Sequence, residues 1–301
     1  VIAAREGLAP AGDSMLGFAV PGRDVRGRFV RLDAALAAIL GPHDYPPPLA
    51  AVLTEALVVT ALLGATLRED ADADAGLTLQ AQGDGALTLL VADWKAGQLR
   101  GYLAGDPEAP AGDLAAMFGS GHLAVTLDPT ATSERYQGIV PLEGAGIPQA
   151  IEQYFRSSEQ LPTLIRTGMA VDAAGAVTAG GLLLQYLPRG EEGRTRLFAE
   201  DDGAPEPPDW QHMRTLAATV TSDELADPAL APDELLWRLF HEEEVRLFPG
   251  VTPSRGCRCS PAHIEMVLKR FPEAERADMR GEDGLIGVDC KFCARVWKIA
   301  A

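Results

Sequence analysis

Apolar and polar residues alternate with a period of two in a series of short runs between residues 77 and 187, the pattern of half-buried antiparallel strands. The runs cover 77–82, 86–92, 98–103, 122–127, 135–142 and 176–187. Gly83-Asp84-Gly85 separates the first two and predicts a tight turn between them. Helical periodicity predicts helices over 32–40, 49–67 and 147–158. The strands cluster and the helices are not regularly interleaved with them. That argues against a doubly wound parallel sheet and predicts an α+β domain, with antiparallel sheets packed against helices, over residues 1–186.

The pattern changes after residue 186. Prolines stand at 188, 205, 207, 208, 228, 232, 249 and 253, and acidic runs occur at Glu191-Glu192, Glu200-Asp201-Asp202 and Glu242-Glu243-Glu244. Two apolar stripes at helical spacing survive: Trp210, Met213, Leu216, Ala217 and Val220, then Leu235, Leu236, Leu239 and Phe240. Pro232 suits a first helical position, and Asp233 and Glu234 favour the positive end of the helix dipole. Residues 187–256 therefore read as an acidic helical linker. It is either an ordinary connector with two surface helices, or a stress-labile segment whose apolar faces dock on the first domain and can be released. Composition alone leaves both open.

The chain has only four cysteines, and all of them lie in its last 45 residues, in a third module over 257–301. Cys257-Arg258-Cys259 is one pair and Cys290-Lys291-Phe292-Cys293 the other. Paired close spacings point to metal or redox chemistry rather than to a disulfide-stapled domain. Zinc takes four soft ligands in a tetrahedron, with each pair of thiolates supplied by a tight turn, so Cys257, Cys259, Cys290 and Cys293 are the expected ligands of one structural Zn2+. Ser260 can cap a helix that starts at Pro261 and turns Ile264, Val267 and Leu268 inward. A turn-rich stretch with Gly281, Gly284 and Gly287 follows, and Val296, Trp297 and Ile299 end the chain as a strand. A module this small depends on its metal for folding. Thiolates are also the form of cysteine that oxidants attack, and a disulfide would remove the ligands, so metal binding can act as a folding switch.

Charge narrows the function further. The formal net charge is −17. Residues 1–186 hold 11 basic and 21 acidic residues, 187–256 hold 7 and 15, and 257–301 hold 8 and 7. The cysteine module is near neutral and follows an acidic segment, which argues against a nucleic-acid binder. No secretory signal pattern is visible, and in the most apolar stretch Glu55 leaves an uncharged part, 56–67, too short for a bilayer. A soluble cytoplasmic protein with no membrane partner is expected. Ser157-Ser158-Glu159 has no partner histidine and reads as a helix end; His263 reads as a helix-surface residue; no catalytic residue is assigned, and the chain is not expected to be an enzyme.

At these residues the sequence resembles the 33 kDa chaperonins, a family of redox-regulated heat-shock chaperones. Cys257-Arg-Cys-Ser260 and Val288-Asp-Cys-Lys-Phe-Cys293 are similar to that family's cysteine elements. Tyr136-Gln-Gly-Ile-Val-Pro-Leu-Glu-Gly144, Tyr154-Phe-Arg-Ser-Ser-Glu-Gln-Leu-Pro-Thr163, Leu79-Gln-Ala-Gln-Gly-Asp-Gly85 and Val25-Arg-Gly-Arg-Phe-Val-Arg-Leu-Asp33 resemble its core signatures. The resemblance implies an ATP-independent holdase that binds unfolding client proteins under oxidative stress. It implies a reduced, zinc-bound, inactive state, and activation through disulfides Cys257–Cys259 and Cys290–Cys293 with release of zinc. It also implies a homodimer as the active form. The alternatives are a zinc-ribbon-type binding module for protein or nucleic acid, and a thiol oxidoreductase.

Overall fold

The computed structural model describes residues 12–67, 75–128, 136–187 and 206–300. The acidic runs Glu191-Glu192 and Glu200-Asp201-Asp202 lie outside the described residues. Two twisted sheets form the frame. The first has five strands in the order β10 (Arg246–Pro249), β1 (Ser14–Val20), β2 (Val25–Leu32), β9 (Val177–Tyr186), β8 (Thr163–Val171), all antiparallel. The second has six, in the order β11 (Ser254–Arg255), β5 (Gln98–Gly105), β4 (Leu87–Lys95), β3 (Gly76–Gly83), β6 (Gly121–Asp128), β7 (Tyr136–Pro141). Among the described residues, only β11 runs parallel to its neighbour. The fold is the expected α+β class.

Helix α1 (Ala34–Leu40) and helix α2 (Pro47–Gly64) follow β2. α2 is apolar on every side because it lies between the sheets, and Leu53, Leu57 and Leu62 are fully buried there. By length and composition it could cross a membrane, yet 72% of it is buried inside the fold. The acidic residue of α2 serves a neighbouring helix. Glu55 Oε2 accepts the Ile147 N–H at 2.9 Å, satisfying the first turn of α4 (Ile147–Ser157). The short α3 (Leu114–Phe118) is capped by Asp113, whose side chain accepts the Ala116 N–H at 2.8 Å. Together these helices and the inner sheet faces make the main core.

The other face of the first sheet has its own core. Leu16, Phe18, Phe29, Leu164, Leu182 and Leu184 meet Trp210 and Met213 of α5 (Pro208–Ala217), Leu225 of α6 (Ser222–Ala226), and Leu235, Leu236 and Phe240 of α7 (Pro232–Phe240). Both predicted apolar stripes are thus turned onto the sheet. The chain then supplies β10 to the edge of the first sheet and β11 to the edge of the second. The C-terminal module holds α8 (Pro261–Leu268), α9 (Glu273–Met279) and the hairpin β12 (Ile286–Asp289)–β13 (Val296–Ile299). Its core is three buried side chains, Leu268, Ile286 and Ile299, flanked by Ile264, Val288 and Trp297. So few apolar side chains do not hold 45 residues in place without a further constraint.

All six predicted strands form within the described residues, with Arg135 outside them, and the three predicted helices form with shifted ends: Leu32 closes β2 rather than opening a helix. Ser260 caps α8, accepting the His263 N–H at 3.2 Å. Val267 corrects the expected inward set, because it lies on the outer side of α8 at 38% exposure. α9 has no counterpart among the predicted helices; its sequence Glu-Ala-Glu-Arg-Ala-Asp-Met has no apolar stripe, and no residue of it is buried.

Candidate metal centre

Each cysteine pair sits on a different backbone device. Cys257 and Cys259 lie on the extended segment that leaves β11, whose pairing ends with the Gly256 N–H donating to the Leu99 carbonyl at 2.9 Å. Cys290 and Cys293 lie in the tight turn of the β12–β13 hairpin. There the N–H groups of Cys293 and Ala294 both donate to the Cys290 carbonyl, at 3.2 and 2.8 Å, and Ala294 takes the left-handed conformation with φ 53°. The turn brings the second pair against the first. Cys257 Sγ is 3.3 Å from Cys259 Sγ and 3.5 Å from Cys290 Sγ, and Cys259 Sγ is 3.5 Å from Cys293 Sγ. All four sulfurs lie within 4.8 Å of one another.

The donor set suits a soft, tetrahedral cation. Zinc–sulfur bonds of about 2.3 Å put tetrahedral sulfurs about 3.8 Å apart. Burial pushes the Cys257 and Cys290 thiols up, so four thiolates at this spacing need a positive charge among them. His263 is exposed on α8 and is not among the grouped sulfurs.

The residues between the cysteines reach the second sheet. Arg258, inside the first pair, donates to Asp93 Oδ2 on β4. Asp93 is buried and also accepts Arg100 Nε at 2.7 Å and Thr78 Oγ1 at 2.7 Å. Phe292, inside the second pair, lies under the Arg100 guanidinium at 4.1 Å and edge-on to Tyr102 at 6.4 Å. Each knuckle therefore contributes one side chain to a single clasp built on Asp93 and Arg100. A Cβ on Gly256 would come within 2.5 Å of Gln98, so the chain enters the module pressed against β5.

The helices before the module are held by polar contacts besides their core. The Arg31 guanidinium on β2 is fully buried and donates to the carbonyls of Leu230 at 2.7 Å, Leu225 at 3.3 Å and Glu224 at 3.4 Å. Glu243, after α7, accepts Arg23 Nη2 at 3.0 Å and lies 2.9 Å from His212 Nε2 on α5. No local sequence pattern marks Asp93 or Arg100, and Arg31, within the Val25–Asp33 signature, carries no local mark of its burial.

A family model described as Hsp33 protein matches residues 13–300. The chain belongs to the Hsp33 family. A 33 kDa chaperonin of Caulobacter vibrioides is 38% identical over 299 residues, covering 95% of this chain and 94% of that one. A 33 kDa chaperonin of Shigella boydii is 40% identical over 273 residues, covering 89% and 86%. The crystal structure of the 33 kDa chaperonin, a heat shock protein 33 homolog, from Thermotoga maritima shares the fold, with a TM-score of 0.75 at 24% identity over 95% of this chain and 94% of that one. Hsp33 proteins are a chaperone family and not an enzyme family, which agrees with the lack of an assigned catalytic residue. A chaperone of this family implies client proteins as partners.

Proposed function

We propose that this chain is a redox-regulated, ATP-independent holdase whose trigger is the sulfur cluster Cys257, Cys259, Cys290 and Cys293. The observation that carries the reading is the meeting of four sulfurs within 4.8 Å in a module whose own core is three side chains. A bound zinc ion supplies the positive charge that lets four thiolates share this space. Oxidation by two equivalents of peroxide forms Cys257–Cys259 and Cys290–Cys293. Each pair of thiolates gives up two electrons to one peroxide, which takes two protons from solvent and leaves as two waters, and all four donors are consumed. The module then loses the constraint that its core cannot replace. Arg258 and Phe292 are no longer presented together to Asp93 and Arg100, and residues 206–256 are free to leave the first sheet. The face carrying Leu16, Phe18, Phe29 and Leu182 then meets unfolding clients. Domain limits of 1–186, 187–256 and 257–301 follow from this division of labour, and a homodimer as active form and a cytoplasmic location belong to the same reading.

The test is zinc content together with suppression of thermal aggregation of a model client, before and after peroxide under mild heat. Loss of about one zinc per chain with gained suppression is expected. Zinc retained, or zinc lost without suppression, makes the cluster purely structural and removes the switch.

A further inference from the structure

We infer that the outer edge of β1 is a docking site for an extended segment of an unfolding client, and that β10 is the chain's own stand-in for that segment. The inference rests on the holdase reading and adds where, and by which contacts, a client is held.

An open sheet edge is a template for another strand, and proteins normally block it. Among the described residues, two of the other three edges carry side-chain blocks, and the third is short. On β8, the Ile165 N–H donates to Glu152 Oε1 at 2.6 Å and the Met169 N–H to Ser222 Oγ at 3.3 Å. On β5, Tyr45 Oη bonds both the N–H and the carbonyl of Leu103, at 3.1 and 3.3 Å, and only Gln98 and Leu99 pair with β11. β7 is six residues long and is blocked only at its end, by Pro141, which has no N–H to offer.

The edge of β1 is closed differently, by backbone. β10 lies along it in the register Ala19↔Arg246, Phe18↔Leu247, Gly17↔Phe248 and Leu16↔Pro249, and the Gly250 N–H donates to the Met15 carbonyl at 3.2 Å. Antiparallel alternation from that bond puts the outward-facing backbone groups of β1 on Gly17 and Ala19. The cover is slight. Only Leu247 is half-buried, and Phe248 stands 50% exposed. Opposite Phe248 is Gly17, so β1 presents no side chain there that would select its neighbour. Main-chain pairing of this kind is indifferent to sequence, which suits a protein that must hold unrelated clients. β10 is also placed to leave. Four residues, 250–253, join it to β11, and β11 runs directly into Cys257.

The occupant is an unfolded polypeptide in extended form rather than a folded partner, because the site is a strand edge already filled by one. A labelled peptide with the sequence of residues 244–251 tests this on the full-length protein in its reduced, zinc-loaded and its oxidised forms. Binding is expected only to the oxidised form. N-methylation at Phe248, whose N–H faces Gly17, should weaken it about ten-fold or more, whereas N-methylation at Leu247, whose N–H faces away, should leave it nearly unchanged. A chemically unfolded client should displace the unmodified peptide. Oxidised protein that suppresses aggregation, yet binds both methylated peptides alike or binds none, overturns the edge assignment and leaves the holdase reading intact. Peptide binding that appears only as an oxidised dimer is diluted to monomer assigns the edge to a second copy of the chain and also overturns it. Failure to suppress aggregation at all strikes the holdase reading itself.

Discussion

Arg31→Met is the most informative single change outside the cysteines. Arg31 is a core residue, yet its guanidinium has no exposure and is spent on three carbonyls of the helical segment, Glu224, Leu225 and Leu230. The first two lie in the last turn of α6, where carbonyls lack intrahelical partners. A hydrogen bond from a charged donor contributes about 1.5–3 kcal/mol, and stranding a buried carbonyl costs about 1–3 kcal/mol. The contacts to Leu225 and Glu224 are long, at 3.3 and 3.4 Å, and count for less than the one at 2.7 Å. In the other direction, burying the guanidinium is itself unfavourable, as the lowering of its pKa by desolvation indicates, and methionine removes that cost while filling much of the space. The balance is a loss of about 2–4 kcal/mol in the docking of α6 and α7. A loss of about 3 kcal/mol raises the undocked population about 150-fold. Hydrogen exchange on the reduced, zinc-loaded protein reads this directly. Residues 222–240 should exchange about two orders of magnitude faster, while 261–268 in the module stay as they were. Arg31→Lys, which keeps the charge but not the fork, should fall between. Unchanged exchange over 222–240 would refute the reasoning and leave the apolar face alone as what holds these helices down.

Two other contacts give predictions of different kinds. Asp93→Asn should leave the zinc content intact but speed metal release under peroxide about three- to ten-fold, a modest effect because the Arg258 side chain is 37% exposed and its ion pair is screened; a chelator that changes colour on binding zinc measures it. The Glu243 carboxyl is held below its ordinary value of 4.5, first by the hydrogen bonds from Arg23 and then by His212. A depressed folded pKa contributes stability that is complete above the ordinary value and is lost as pH falls from there through the folded value. Trp210, 2% exposed on α5, should therefore report loosening below about pH 4.5 in the parent protein, and Glu243→Gln should remove that pH dependence.

What is legible in the sequence has local causes. The strand pair around Gly83-Asp84-Gly85 declares itself because turn chemistry and alternation are adjacent in the chain. α2 does so because a helix buried all round needs an unbroken apolar run. The cysteine spacing is legible because two knuckles are each written within four residues. β1, β2 and β8 are absent from the predicted strands. In β2 the polar positions are Arg26, Arg28 and Arg31, and the last is buried by bonds to residues nearly 200 positions away, which defeats alternation as a guide. β10 and β11 have four and two residues and no period of their own; they are strands because β1 and β5 lie beside them. The clasp on Asp93 joins residues 165 positions apart, so neither partner carries a mark that the other exists.

Glu243 is 220 positions from Arg23, and β10 stands three residues beyond Glu243. At about 5–20 residues per second, a ribosome that has made β1 needs roughly 10–45 s more before its covering strand is synthesised. The first sheet is itself complete only at Tyr186 of β9, 60 residues before Arg246, so its outer edge stays uncovered for roughly 3–12 s on each new chain. Closure of this edge is therefore an event of biosynthesis.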